Sequence, residues 1–270
     1  MFDTLGDRIK ENYENRCRYY LPRRCYMLLR LDGKAFHTWT RGLDYPFDVK
    51  FQELIDTSAL LFCKEVQGTI FAYTQSDEIS LLLIDFDPSG EKVGTDAWFD
   101  GNLQKICSVG ASTFTSIFNE HRSDFLIDRK PAIFDCRAFT ISDPIEVYNY
   151  FVWRQNDASR NSIQAAALSF YSHKECFKKG CNELQEMIWQ KGQNWNDYPV
   201  RFKRGGFIYY DPTLTVGNAL NKKTEEPIEF TRPKGWSIYK DVPIFTSQEG
   251  QSWLLNLIPK LPSFKIERNE

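Results

Sequence analysis

Apolar and polar residues along the chain follow two spacings, one typical of strands and the other typical of helices. Strand-like patterns occur at 25–31, 68–73, 79–84 and 133–139. Apolar side chains that recur every three or four residues predict helices over 4–17, 48–65 and 103–118. Polar residues suited to a turn separate the second and third strands, which predicts a β-hairpin with an acidic tip.

The order of these elements between residues 25 and 140 is strand, helix, strand, strand, helix, strand. This is the ferredoxin-like βαββαβ order, which is also the palm of many polymerases. Beyond Asp143 the pattern is mostly helical to about residue 190, followed by a β-like segment at 201–210 and a Pro-rich, poorly periodic tail. We therefore expect an α+β protein that forms one globular unit. Its parts are an N-terminal helix (1–22), a catalytic palm (23–140) and a mostly helical or mixed extension packed on the palm (141–270).

Composition restricts the class of protein. The net charge is −2 and the pI is about 6.0, so any contact with nucleic acid must use local basic patches. The seven cysteines include no C-x-x-C pair, and the charged N-terminus has no apolar leader. We expect reduced thiols in a cytoplasmic protein without a membrane span. Structural zinc is disfavoured because His173, Cys176 and Cys181 have no fourth ligand nearby.

Acidic residues follow the first strand and occupy the tip of the hairpin. In the expected topology these strands are neighbours, so Asp32 should lie close to Asp77 and Glu78. Mg²⁺ prefers such oxygen ligands and is usually shared with substrate phosphates, and paired ions can stabilise attacking and leaving oxygens. Asp is also common in turns for its own backbone hydrogen bonds. The residues alone leave both interpretations open.

Four segments resemble a known family: RLDGKAFHTWTRGLDYPFD, AYTQSDEISLLL, FDCRAF and YFVWRQNDASRNSI. They are similar to the tRNA(His) guanylyltransferases, specifically to the bacterial and archaeal-like branch, and the resemblance covers most of residues 5–210. It implies a palm in which Asp32, the Gly33 carbonyl and Asp77 coordinate two Mg²⁺ ions. Glu78 would support the catalytic carboxylates.

The resemblance also implies where the substrates bind. The backbone of Gly33, Lys34, Ala35, Phe36 and His37 would hold the triphosphate of GTP, ATP or another nucleoside triphosphate, with Ser76 lining the pocket. Lys105 and Arg137 match basic positions suited to a second triphosphate. Contacts with tRNA are predicted at Arg154, Asn161, Lys203 and Arg204, although polar helix faces and solvated charges would give the same pattern.

One departure from the family bears on the reaction. Eukaryotic members continue with His-Ile-Asn-Asn-Leu-Tyr-Asn-Thr where this chain has Ala158 to Gln164 after Asp157. The difference favours template-dependent 3′-to-5′ addition that repairs tRNA 5′ ends, activated by ATP or GTP, over addition of one extra 5′ G to tRNA(His). The resemblance implies a homotetramer.

Two other classes of protein share the palm. A nucleotide cyclase would use the same two-metal chemistry, but the GG-(D/E)-(D/E)-F turn typical of one class is missing from the sequence. A noncatalytic RNA-binding module would use the sheet without metals. Retention of all three carboxylates favours the enzyme over such a module.

Overall fold

A six-stranded antiparallel sheet carries helices on both faces. The computed structural model describes residues 4–91, 95–122, 124–220 and 227–262. The strands are β1 (Tyr26–Gly33), β2 (Thr69–Gln75), β3 (Glu78–Ile84), β4 (Phe134–Ile141), β5 (Gly206–Leu220) and β6 (Pro227–Tyr239). The helices are α1 (Leu5–Ile9), α2 (Phe36–Trp39), α3 (Val49–Glu65), α4 (Leu103–Glu120), α5 (Asp124–Ile127), α6 (Pro144–Leu168), α7 (His173–Cys176), α8 (Cys181–Gln190), α9 (Val200–Arg204) and α10 (Gln248–Leu257).

The strands lie in the order β4-β1-β3-β2-β5-β6. The first four of these, with α3 and α4 between them in the chain, form the ferredoxin-like arrangement that the sequence predicts. The α+β palm is therefore confirmed. The predicted N-terminal helix is also present, although after α1 it continues as a π turn at Lys10–Glu14 and a 3₁₀ turn at Asn15–Cys17.

Residues of β1 point alternately into two cores, which explains its unbroken apolar run. Leu29 and Leu31 are fully buried with the apolar faces of α3 and α4. Tyr26 and Leu28 are fully buried on the other face, against α6 and α10. A strand that is covered by a core on each face has no solvent-facing side, so its apolar residues need not alternate with polar ones.

Short polar side chains start the main helices where the sequence predicts them. The Asp48 carboxylate accepts a hydrogen bond of 2.9 Å from the Phe51 amide and begins α3. Asn102 caps α4 and Asp143 caps α6 in the same manner. Each cap satisfies an amide that the first helical turn leaves without a partner.

The C-terminal part differs from the sequence-based expectation. The first part of the β-like segment expected at 201–210 belongs to α9, and residues 206–210 are strand, as expected, at the start of β5. The tail that was expected to be poorly periodic contributes the rest of β5, β6 and α10. Gly205 makes the change of direction because its φ is +79° and a Cβ there would lie 2.4 Å from the Thr74 carbonyl oxygen. Past Tyr210 many side chains of the hairpin are exposed, so its sequence carries little strand periodicity.

All seven cysteines are free. Within the described ranges, no helix has the length and apolar character needed to cross a bilayer.

A buried ion pair ties α9 to the palm. Asp56 of α3 and Arg201 of α9 are almost fully buried, and two guanidinium nitrogens lie 2.9 Å from the carboxylate. Thr74 of β2 also donates to Asp56 at 2.7 Å. Three elements distant in sequence therefore meet at one carboxylate.

We predict that Asp56→Ala lowers the free energy of unfolding by about 3–5 kcal/mol, because it leaves the Arg201 guanidinium buried without its partner. The control is Glu53→Ala, which removes an exposed pair with Lys240 and should cost less than about 1 kcal/mol. Urea unfolding monitored by circular dichroism measures both. Equal losses for the two variants would contradict this role of the buried pair.

Candidate active site

Three carboxylates meet at one end of the sheet. Asp32 lies directly opposite Glu78 in the antiparallel register of β1 and β3. Asp77 and Ser76 form the turn between β2 and β3, and Ser76 has a φ of 47°. The close approach expected from the sequence is therefore present, and it follows from the strand order alone.

Asp77 is the carboxylate with the least favourable surroundings. Its burial raises its pKa to about 6, and the negative charge of Asp32 contributes in the same direction. Ser76 and the Gly33 backbone act against this rise, with Ser76 Oγ donating to Asp77 at 3.0 Å. Asp77 has no ion pair among the described residues. The folded chain thus holds a desolvated carboxylate whose charge it does not balance.

Glu78 is in a different situation because it has a cationic partner. Arg154 of α6 places its Nε 2.9 Å from a Glu78 oxygen, an ion-pair distance without a directed hydrogen bond. The same guanidinium donates to Asp157 at 2.6 Å. Burial raises the pKa of Glu78, while the charges of Arg154 and Arg30 act against the rise. Glu78 is therefore paired within the protein, whereas Asp32 has only Arg137 at 3.9 Å and Asp77 has no cationic partner among the described residues.

Cations fit this arrangement only together with a substrate. Within the described residues, no cluster of three or more His, Cys, Asp or Glu side chains is arranged to hold a metal ion. Mg²⁺, however, is commonly bound by one or two carboxylates together with water and substrate phosphates. Asp32 and the partly buried Asp77 supply such a pair, and a cation would stabilise the charged form of Asp77, which burial disfavours.

Packing within the protein constrains the backbone at residues 33–36, where β1 ends. A Cβ on Gly33 would lie 2.2 Å from the Phe36 ring, and that ring is buried against Phe118 and Phe134. Ala35 adopts the left-handed conformation with φ 56°. The Lys34 amide donates to the Ile133 carbonyl at 2.8 Å, so this amide is not free to bind phosphate. The Phe36 and His37 amides come next along the chain and have no helical acceptor, whereas the Thr38 amide donates to the Ala35 carbonyl at 2.9 Å.

A cavity of about 580 Å³ opens beside the carboxylates. Its walls are the turn at 75–78, the loop at 40–48, and parts of α6 and α9. The volume lies in the range of small-ligand sites. Gln75 is one of the lining residues; it is almost fully buried, and its Oε1 lacks a hydrogen-bond partner among the described residues.

Sequence reasoning missed most of the wall residues. Asp44, Tyr45 and Phe47 line the cavity from the loop, and Asp157 lines it from α6. The loop belongs to the segment that carries the family resemblance, which was the available signal. Nothing local to the loop shows that it folds over the end of the sheet.

The two basic residues predicted for a second triphosphate have different neighbours. Arg137 is half exposed on β4, with Nη2 3.9 Å from Asp32 and Nε 3.7 Å from Asp135. Lys105 is exposed in the first turn of α4 and makes no ion pair within the described residues. Arg137 therefore borders the carboxylates directly.

Two of the predicted tRNA contacts need correction. Arg154 is 4% exposed and is taken up by Glu78 and Asp157, and Lys203 is 7% exposed with its ammonium donating to the Asn196 carbonyl. Neither can meet a phosphate on the surface. The sequence pattern predicted exposed charges at both positions. It did not show their burial, because burial of a long basic side chain depends on partners that are distant in sequence.

Arg204 and Asn161 remain accessible. Arg204 is half-buried and lies 3.5 Å from the Val242 carbonyl. Asn161 is exposed, lines the cavity, and its amide is 3.3 Å from Asp157.

Comparison with known proteins gives a consistent result. The family model described as tRNAHis guanylyltransferase matches residues 6–142. A bacterial tRNA(His) guanylyltransferase-like protein solved in complex with ATP is 35% identical, with a TM-score of 0.79 over 94% of this chain and 99% of its own. A structure of that description with GTP is 33% identical, with a TM-score of 0.71 over the same shares. The tRNA(His) guanylyltransferase of Saccharomyces cerevisiae is 26% identical over 68% of this chain and 82% of its own.

We predict that Asp77→Asn stabilises the protein in EDTA. A folded-state pKa above the unfolded value makes the charged carboxylate unfavourable above about pH 6, and this cost disappears as pH falls through the folded pKa toward the unfolded one. The variant should gain about 1–2 kcal/mol at pH 8 and almost nothing at pH 4, a range discounted for partial exposure.

Urea unfolding across this pH range measures the gain. Glu78→Gln serves as the control with the opposite sign, because it removes the partner of the buried Arg154 and should destabilise. A loss of stability in Asp77→Asn at pH 8 would show that the protein itself balances this charge.

Proposed function

The chain belongs to the tRNAHis guanylyltransferase family and is a nucleotidyltransferase, and we propose that it adds nucleotides to tRNA 5′ ends in the 3′-to-5′ direction. The physiological reaction on this proposal is repair of tRNA that has lost 5′ nucleotides. The observation that carries it is the unbalanced Asp77 carboxylate beside Asp32, at the mouth of a cavity of nucleotide size.

The reaction has two balanced steps. First, a 5′-phosphate oxygen of the tRNA attacks the α-phosphate of ATP or GTP, and pyrophosphate leaves. Second, the 3′-hydroxyl of the incoming nucleoside triphosphate loses its proton and attacks the activated 5′ phosphate, and AMP or GMP leaves. The chain's part in both steps is to align the reacting groups and to offset their charge.

We assign the predicted residues to these tasks. Asp32, the Gly33 carbonyl and Asp77 would hold two Mg²⁺ ions, which supply positive charge to the phosphates and to the attacking and leaving oxygens. Glu78 keeps its pair with Arg154 and fixes the turn that carries Asp77.

The nucleotide triphosphate in this proposal lies against the backbone of Phe36 and His37 and beside Ser76, with its nucleoside in the cavity. Its phosphates then lie next to Asp32 and Asp77. Arg137, which borders Asp32, offers charge to a second triphosphate or to the RNA 5′ phosphate, and Lys105 adds to it. Asn161 and Arg204 remain as proposed tRNA contacts.

Addition of a single extra G to tRNA(His) is the second candidate. The description of the family model favours it, and the same carboxylates would serve it. Similarity to bacterial guanylyltransferase-like proteins over almost the whole chain, and the sequence after Asp157, favour repair. A cyclase or a noncatalytic RNA-binding module has no such support.

We propose that the protein works as a homotetramer in the cytoplasm. Seven free cysteines suit a reducing compartment. Residues of α1 are not buried, and Leu5 and Ile9 are exposed on it, so another copy could cover this helix. Light scattering tests the assembly, and a monodisperse monomer at micromolar concentration would contradict it.

We predict that the purified protein extends 5′-monophosphorylated tRNA lacking its first nucleotide with the complementary nucleotide, in the presence of Mg²⁺. Asp77→Ala should reduce this addition by at least about 1000-fold, because it removes the charge that aligns the phosphates. Labelled triphosphates and sequencing of the products give the identity of the added nucleotide.

Intact tRNA(His) is the comparison substrate, and Asp100→Ala, an exposed carboxylate that does not line the cavity, is the comparison variant. Asp100→Ala should retain far more activity than Asp77→Ala. Guanosine added only to intact tRNA(His) would replace repair by the second candidate. Absence of addition to every tRNA would refute both.

A further inference from the structure

An exposed tryptophan lies next to the carboxylates, outside the cavity. Trp153 of α6 is 52% exposed. The Arg154 guanidinium covers one face of its ring at 4.1 Å from the centroid, and Tyr150 contacts it edge-on at 5.8 Å. Single exposed apolar side chains are common on protein surfaces, so exposure alone indicates nothing; the feature of Trp153 is that its neighbours hold the ring in place.

The indole is rigidly connected to the catalytic turn. Arg154 is almost fully buried and pairs with Glu78, the residue after Asp77. The Tyr150 hydroxyl is hydrogen-bonded to Ser80 of β3 at 2.8 Å. The ring is therefore fixed relative to the turn, and a group that stacks on it loses little entropy to side-chain ordering.

Arg30 lies over this ring, and Arg137 lies next to Arg30 on the same face of the sheet. Arg30 of β1 and Arg137 of β4 are directly opposite each other, and directly opposed residues of antiparallel strands point to the same face. The Arg30 guanidinium carbon is 5.9 Å from the Trp153 centroid, and Arg30 Nε is buried without a hydrogen-bond partner among the described residues. Like charges placed side by side favour an anion between or above them.

We propose that Trp153 stacks a nucleobase whose phosphate lies toward Arg30 and Arg137. The proposal rests on the proposed function, since it adds a second nucleotide outside the cavity, whose lining does not include Arg30, Arg137 or Trp153. Two sources carry this chemistry: the 5′-terminal nucleotide of the RNA and a free nucleoside triphosphate. Aromatic stacking accepts every base, which suits an enzyme that must receive different 5′ ends.

A purely structural role for Trp153 makes a different prediction. The ring packs on Arg154, so its loss could act only through the position of Glu78. Such an effect would lower kcat and leave the KM values for RNA and nucleotide unchanged, while loss of stacking raises the KM of one substrate.

The test compares Trp153→Ala and Trp153→Phe with Trp189→Ala. Trp189 is 61% exposed at the end of α8, far along the chain from the catalytic turn, so it is a matched control for loss of a surface indole. Stacking is worth about 5- to 100-fold per base, so Trp153→Ala should raise one KM by about tenfold or more. Trp153→Phe should restore most of the loss, and Trp189→Ala should change neither KM.

Fluorescence quenching shows, without relying on turnover, whether the stacked base belongs to the RNA 5′ end or to a free nucleotide. The difference between the wild type and Trp153→Phe isolates the signal of Trp153 from that of the other tryptophans. Quenching by 5′-monophosphorylated truncated tRNA alone assigns the site to the RNA end, and quenching by ATP or GTP alone assigns it to a nucleotide; either supports the proposal. Unchanged KM values for Trp153→Ala together with no quenching of Trp153 would overturn it.

Failure of the proposed function and failure of the stacking site give different results. If the wild type adds nothing to any tRNA but Trp153 is quenched by nucleotides, the stacking site stands and the reaction is wrong. If the wild type is active and Trp153 is neither quenched nor needed, the reaction stands and the stacking site is wrong.

Discussion

The structure depends on one electrostatic constraint, the placement of Asp77 next to Asp32 in a poorly solvated turn. Antiparallel pairing of β1 and β3 brings these carboxylates together, and burial raises the pKa of Asp77 to about 6. The fold bears this unfavourable charge without an ion pair among the described residues. A carboxylate that lacks a cationic partner suits a site that binds phosphates through cations, and Asp32 has only Arg137 nearby among these residues, at 3.9 Å.

Glu78 shows how the protein separates the tasks of neighbouring acids. Its pair with Arg154 fixes the end of β3 to α6, and Asp157 on the next turn of that helix holds the same guanidinium. Helix α6 thereby connects three features: the carboxylate turn, the cavity wall and the exposed Trp153. Arg201, paired with Asp56, fixes the opposite wall through α9. The rigid parts of the site therefore come from the extension as much as from the palm.

The palm could be predicted from the sequence because its signals are local. The apolar run of β1, the cap at Asp48 and the turn residues between β2 and β3 each act over a few positions, and strand order then brings Asp32 to Asp77. The burial of Arg154 and Lys203 could not be predicted in this way. Whether a long basic side chain points inward depends on partners such as Glu78, which is 76 positions away from Arg154 in the chain. The part of β5 past Tyr210 and all of β6 were missed because many of their residues are exposed and leave little periodicity.

The central claim is that Asp32 and Asp77 bind cations together with a nucleotide. Electron paramagnetic resonance of Mn²⁺, used in place of Mg²⁺ with a nonhydrolysable ATP analogue, counts the bound ions directly. The account predicts about two bound ions per wild-type chain in the presence of the nucleotide. It predicts fewer in Asp77→Asn, and an unchanged number in a variant of the exposed Asp100. Equal Mn²⁺ binding by the wild type and Asp77→Asn would contradict it.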